Sequence, residues 1–404
     1  MPIADLHCHY PMHLLAGEET PRDPALKALV RMRKRGPWEK LKAAITLLAA
    51  RLFNFRRIWD SWRVSLDRLG GGDVRLVFSV LYVPEAEMDL DEWPNGSPED
   101  GYFDRLMEHL SDVERDLEGR EYGGETPLIV TIPEDLTHAP GDGRIRFVHC
   151  IEGGFHLGGT ADAIEGWVAQ LSKRGVGYIT LAHLFWRQVA TNAPALPFLT
   201  DAQYARLFPQ PKDVGLDELG RAAVRAMHRH RVLIDISHMS QAAIDDTFKL
   251  LAELDAEHGT AAEDFPVLAT HAGYRFGEQS YMLSEETIEK VASRGGVIGL
   301  IMAHHQLNDG LFKRRGNFKR TLAAIHAHID AIHRITGSHR HVGIGSDLDG
   351  FIKPTVGGIE YADDPEKLVR PLSATYPDDA DSILHGNALR VLKKAFARRP
   401  DPAY

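Results

Sequence analysis

The sequence predicts an eight-stranded β/α barrel of the TIM type, on three observations. Eight short segments rich in aliphatic or β-branched residues are bounded by glycine or polar punctuation. Helical patterns fall between most of them, and alternating strand and helix calls for βα units and a parallel sheet. Several of the segments also end in histidine or a carboxylate, the end at which such barrels carry their chemistry. Eight units in one 404-residue chain favour a closed barrel over an open sheet.

In order, the expected strands are Pro2–Leu6, Val74–Val83, Ile145–Ile151, Gly177–Ala182, Val232–Ser237, Pro266–Thr270, Gly296–Met302 and His341–Gly345. Expected helices include Ala161–Arg174, Asp217–His230, Gln241–His258, Ser284–Arg294 and Phe318–Thr336. Ser284, Glu285, Glu286 and Thr287 supply a capping serine and early acids, and Gly295 and Gly296 stop that helix. The whole of residues 1–404 reads as a single barrel domain with two additions. One is a basic helical insertion at about residues 22–62, where Leu41, Ala44, Ile45, Leu48 and Leu52 recur at helical spacing. We read it as a helical excursion packed on the barrel or on a second subunit, rather than as an anionic-surface helix. The other is a C-terminal helical extension at about 379–398, packed on the outside or bottom of the barrel. The acidic stretch Glu85–Glu118 reads as a solvated loop and helix, and the histidines His326, His328, His333, His339 and His341 mostly as surface.

Composition bounds the function. A net charge of −10 argues against nucleic-acid binding, which rests on a basic surface. Two cysteines, Cys8 and Cys150, cannot make a disulfide framework and fit a reducing compartment. No apolar run reaches the roughly 20 residues of a membrane span, and the first strand begins almost at Met1, so a cytoplasmic enzyme without a signal peptide is expected.

The strand ends then carry the chemistry. His7 and His9 sit at i and i+2, which on a strand share one face. The third strand runs into Glu152-Gly153-Gly154, the fourth into His183, the fifth into His238, the sixth into His271 and the eighth into Asp347. Such a ring of ionisable groups around one mouth needs a cation, because buried charges are costly unless paired or metal-bound. His7, His9, Glu152, His238 and His271 exceed the three protein ligands of one open catalytic zinc, so two ions are expected, with Glu152 bridging. Asp347 is then the acid/base, and His183 is free to stabilise an oxyanion.

This order of motifs resembles the membrane (renal) dipeptidase family of the amidohydrolase superfamily. The motifs are His7-Cys8-His9, Glu152-Gly153-Gly154, Leu181-Ala182-His183, Asp235-Ile236-Ser237-His238-Met239-Ser240, Thr270-His271 and Gly345-Ser346-Asp347-Leu348-Asp349-Gly350. The resemblance spans nearly the whole chain. It implies a barrel, usually a homodimer, with two zinc ions bridged by Glu152 and hydrolysis of dipeptides, including those with D residues on the carboxyl side. It implies that His7 and His9 hold the first ion, His238 and His271 the second, that Asp347 is the acid/base and that His183 binds substrate. Two positions depart from the family. His9 stands where the family has aspartate, which makes the site one charge more positive and one ion instead of two conceivable. The family's carboxylate-binding arginine is absent near Tyr281-Met282-Leu283, and Arg275, Arg187 or the pair His304 and His305 are the replacements in reach, with Arg275 foremost. The expected substrate is therefore a dipeptide; the alternative is another amide, an N-acyl amino acid or a lactone. A non-catalytic metal-binding barrel that docks a partner through its basic insertion is the reading from another class.

Overall fold

The computed structural model describes residues 1–16, 37–38, 41, 62–88, 95–137, 142–312, 317–355 and 358–399. Nearly all of the basic insertion lies outside these residues. Nine strands occur among the described residues: β1 (Ile3–Cys8), β2 (Val74–Leu81), β3 (Leu128–Ile129), β4 (Arg146–Glu152), β5 (Tyr178–Thr180), β6 (Leu233–Asp235), β7 (Val267–Ala272), β8 (Val297–Leu300) and β9 (Val342–Ile344). All pairings are parallel, and β2 bonds both β1 and β4 while β1 bonds β9. The ring β1-β2-β4-β5-β6-β7-β8-β9 therefore closes, and β3 adds a short ninth strand on the amino end of β4. That two-residue strand was not anticipated, since it carries no periodicity of its own. Seven of the strands other than β2 and β3 are buried throughout, as expected for a sheet covered on both faces.

Local signals set the helices between the strands. Ser284 Oγ accepts from Thr287 N (3.2 Å) ahead of the helix Glu285–Ser293, and Ser240 Oγ accepts from Ala243 N (3.1 Å) ahead of Gln241–His258. Gly259, at φ 63°, ends the latter in the left-handed region. No helix among the described residues is long and apolar enough to cross a membrane.

The C-terminal segment, Ser382–Gly386 followed by the helix Asn387–Phe396, closes the amino end of the barrel. Asn387 Nδ2 donates to His339 O and Val342 O (both 2.9 Å), and Arg390 donates to Gly295 O (2.7 Å) and Arg340 O (2.9 Å). These carbonyls precede or open β8 and β9, so the helix packs at the end of the barrel opposite the carboxyl mouth.

Two expectations are corrected. The helix Gly101–Glu118 is not solvated all round: Tyr102, Leu106, Leu110, Val113 and Leu117 form a buried stripe. Ahead of it, Glu87 is fully buried. Among the histidines read as surface, His328 and His341 are buried; His328 Nδ1 accepts from Tyr274 N (3.0 Å), and its Nε2 donates to Leu307 O (3.0 Å). Both ring nitrogens thus bridge loops across the helix Phe318–Thr336.

Candidate metal centre

The carboxyl end of β1 is stitched to the segment that follows β9. Asp5 Oδ1 accepts from Ser346 N (2.8 Å) and His7 N (3.2 Å), while its Oδ2 accepts from Ser346 Oγ (2.5 Å). Burial pushes the Asp5 carboxyl up to about 6 despite these bonds. Asp347 N donates to His7 O (2.8 Å) and His9 N to Leu348 O (3.0 Å), so the backbone ties His7, His9 and Asp347 together. Asp347 itself has φ 56°, and His238 has φ 64°. Left-handed backbone is unfavourable for side-chain-bearing residues and gathers at functional sites. Gly350 completes the turn: a Cβ there would lie 1.8 Å from Asp347 Oδ1 and 2.7 Å from the His9 ring.

Six side chains from five other strand ends gather around Glu152, and none of the seven is more than 6% exposed. Glu152 Oε1 lies 3.3 Å from His7 Nε2, 3.4 Å from His271 Nε2 and 3.5 Å from His238 Nε2. Its Oε2 lies 3.2 Å from His183 Nε2 and 3.3 Å from His9 Nε2. Asp347 Oδ1 is 3.4 Å from His9 Nε2 and 3.9 Å from His7 Nε2. His7 with His9 and Glu152, Glu152 with His183 and His238, and His7 with Asp235 and His271 form overlapping groups whose ligand atoms lie within 4.8 Å of one another.

Hydrogen bonds behind the ring fix which nitrogen of His7 and of His271 faces inward. Thr270 Oγ1 donates its one proton to Asp235 Oδ2 (2.7 Å), so toward His271 Nδ1 (2.9 Å) it can only accept. Tyr178 OH donates to Leu6 O (3.0 Å) and so accepts from His7 Nδ1 (2.8 Å). Both rings therefore carry their proton on Nδ1 and aim an Nε2 lone pair at the Glu152 carboxylate. Lone pairs facing a carboxylate at such distances repel unless a cation lies among them. His271 Nε2 and Glu152 Oε1 are buried without a hydrogen-bond partner, which fits a metal in their midst. Asp235 holds the rear of the ring: it accepts from Thr180 Oγ1 (2.6 Å), Thr270 N (2.8 Å), Ser237 N (3.0 Å) and Ser237 Oγ (2.8 Å) as well as from Thr270 Oγ1. A nitrogen and carboxylate donor set of this kind suits zinc and similar divalent transition ions.

The electrostatics divide the ring. Burial alone would raise Glu152, but the imidazoles around it, His183 foremost, hold its carboxyl well below the usual range. Burial pushes His271 and His238 down, toward the neutral form that binds metal. Burial also pushes Asp347 up, against the opposing pull of His9 and His7. At His9 burial is outweighed by the carboxylates of Asp347 and Glu152, and the ring is pushed up to about 9.

His7, His9, Glu152, His183, His238, His271 and Asp347 are thus assembled at one point. Arg275 is placed differently: its Nε donates to Met282 O (2.7 Å) and its Nη2 to Ser280 O (2.9 Å), which folds it onto its own loop. Arg187 is buried and donates to Gly96 O, Ala86 O, Glu87 O, Ser97 O and Tyr102 OH, so its guanidinium is spent inside the protein. Glu87 was not foreseen: its carboxylate accepts from His183 Nδ1 (2.7 Å), Tyr82 OH (2.6 Å) and Phe185 N (2.9 Å). Asp235, Thr270 and Tyr178 were not foreseen either, although Asp235 and Thr270 lie inside the motifs that drew attention to His238 and His271.

Comparison with known proteins places this site in a family. The model of the membrane dipeptidase family, peptidase family M19, matches residues 1–402. Dipeptidase aclJ of Aspergillus oryzae is 25% identical over 267 residues, which cover 65% of this chain and 54% of that protein. An uncharacterized protein in the pqqA 5′ region of Klebsiella pneumoniae is 31% identical over 195 residues, 47% of this chain and 65% of that one. The match thus spans less than two thirds of the length of either relative. Among solved structures, the M19 metallopeptidase called dipeptidase AC superposes with a TM-score of 0.66 at 19% identity, covering 98% of this chain and 99% of its own. A metallopeptidase from Rhodobacter sphaeroides, bound to a phosphinate mimic of the dipeptide L-Ala-D-Ala, superposes with a TM-score of 0.64 at 19% identity and the same coverage. At these identities the superpositions speak to the fold. With the family's own model matched from the first residue to within two of the last, the chain belongs to the membrane dipeptidase family, peptidase family M19.

Proposed function

We propose that this protein is a metal-dependent dipeptidase that holds two zinc ions. The observation that carries the reading is the set of Nε2 atoms aimed at one buried carboxylate, with the His7 and His271 tautomers set from behind by Tyr178 and Thr270. His7 and His9 would hold one ion, His238 and His271 the other, and Glu152 would bridge them. Bound there, the metal supplies an activated water and polarises the scissile carbonyl. Asp347, raised by burial and close to His9, accepts the proton of the attacking water and delivers it to the amide nitrogen as that bond breaks. His183, raised by the neighbouring carboxylates of Glu152 and Glu87 despite burial, directs Nε2 into the site, where it is placed to stabilise the oxygen of the tetrahedral intermediate. The dipeptide mimic held by the Rhodobacter sphaeroides relative supports the substrate class.

Asp347→Asn tests this assignment. It removes the proton acceptor but keeps the shape, so its zinc content should match the wild type while kcat on L-Ala-D-Ala falls about 100-fold or more. Unchanged turnover would remove Asp347 from the mechanism.

One observation favours a second reading, in which the substrate has no free carboxylate. Arg187 is spent inside the protein and Arg275 is folded back onto its own loop, so neither is placed to hold a substrate carboxylate. Comparing kcat/KM on L-Ala-D-Ala with that on its C-terminal amide ranks the two readings: the dipeptidase prefers the free acid, the alternative prefers the amide.

A further inference from the structure

Behind His183 lies a group of side chains that do not reach the reacting atoms. Glu87 ends the short helix Pro84–Glu87 that follows β2, and His183 follows β5, so the two meet only in the folded barrel. Glu87 Oε2 accepts from His183 Nδ1 at 2.7 Å and from Tyr82 OH at 2.6 Å, and Oε1 accepts from Phe185 N at 2.9 Å. The Tyr82 ring stands edge-on to the His183 ring, with centroids 4.6 Å apart at 67°. Arg187 in turn grips the peptide that carries Glu87, donating to Ala86 O (2.9 Å) and Glu87 O (2.6 Å). Glu87 and His183 are at most 2% exposed.

We infer that Glu87 is a positioning residue for His183: it holds the proton on Nδ1, fixes the ring plane against Tyr82 and so directs Nε2 into the mouth beside Glu152. The argument is geometric. A carboxylate can only accept, so the Nδ1 atom in contact with it must be the donor. A second acceptor contact to Tyr82 OH and a third to Phe185 N leave the carboxylate no freedom to turn away. His183 Nε2 then faces Glu152 Oε2 at 3.2 Å and no other direction. A carboxylate on the far nitrogen of a histidine is the usual means of fixing tautomer and orientation at metal-dependent sites. The bland alternative is a buried carboxylate that merely staples two loops.

Glu87→Gln separates these roles. The amide has one acceptor oxygen for three donors, and Phe185 N is fixed in the backbone, so the amide NH2 is turned toward His183 and the ring is released or inverted. With the zinc-loaded enzyme and L-Ala-D-Ala, kcat should fall about 10–100-fold while KM changes less than about threefold and zinc content is unchanged. This arm rests on the dipeptidase reading. A second arm does not: histidine-selective 1H–15N NMR of the wild type should show a far-downfield Nδ1–H resonance that disappears in His183→Asn and shifts or broadens in Glu87→Gln. A folded Glu87→Gln enzyme with kcat within twofold of wild type overturns the inference. So does a wild type in which His183 Nδ1 carries no proton, and that result stands even if Glu87→Gln fails to fold. If the wild type hydrolyses no dipeptide, the proposed function fails, and the NMR arm alone decides the role of Glu87.

Discussion

Glu152→Gln is expected to lose both metal and activity. The carboxylate is 1% exposed and lies within 3.5 Å of five imidazole Nε2 atoms, from His7, His9, His183, His238 and His271. Replacing it with an amide removes the negative charge that all five rings share and turns one oxygen into a donor that faces lone pairs. Two ions that share this carboxylate would both be weakened, and the loss of a first ligand is more severe than the 10–100-fold typical of its supporting residues. Hydrolysis of L-Ala-D-Ala should fall by about 1,000-fold or more, with zinc per chain falling in parallel by elemental analysis. Full zinc retention would show that Glu152 is not the bridge.

Arg187→Met is expected to produce the largest loss of stability among the residues at this face. The side chain is 1% exposed, and its guanidinium serves the carbonyls of Ala86, Glu87, Gly96 and Ser97 and the Tyr102 hydroxyl. Methionine keeps the apolar stem but leaves those acceptors without donors. An orphaned buried polar group costs about 1–3 kcal/mol, so even with partial relaxation the expected loss is about 3–5 kcal/mol. The urea midpoint should shift accordingly. An arginine that served substrate instead would show the opposite pattern: a raised KM on a protein of unchanged stability.

Arg187 also marks where sequence reading stops. As a lone arginine after His183 it is indistinguishable from a residue reaching for a carboxylate; its burial depends on the carbonyls of Ala86, Glu87, Gly96 and Ser97, which come to it from another βα unit. Glu87 is hidden for the same reason. The four-residue helix that holds it has no periodicity, and its acidic neighbourhood suggests solvent, so only tertiary contact with His183 and Tyr82 reveals it. The helix Gly101–Glu118 was legible in principle, because Tyr102, Leu106, Leu110, Val113 and Leu117 recur at helical spacing. The acidic average of the segment masked that stripe. The barrel itself was legible because buried parallel strands leave aliphatic runs, and the ring was legible because parallel strands all deliver their last residues to one mouth. His7, Glu152, His238 and His271 stand at strand ends where aliphatic residues would otherwise be expected. The supporting hydroxyls of Thr270 and Tyr178 carry no such mark, since threonine and tyrosine are ordinary strand residues.

The most direct measurement is the metal content of the purified wild-type protein, taken together with its activity before and after chelation. Two zinc ions per chain, loss of L-Ala-D-Ala hydrolysis on chelation and its return on adding zinc are the predicted results. Hydrolysis that persists in fully chelated protein, or a chain that takes up no divalent metal, would contradict the account.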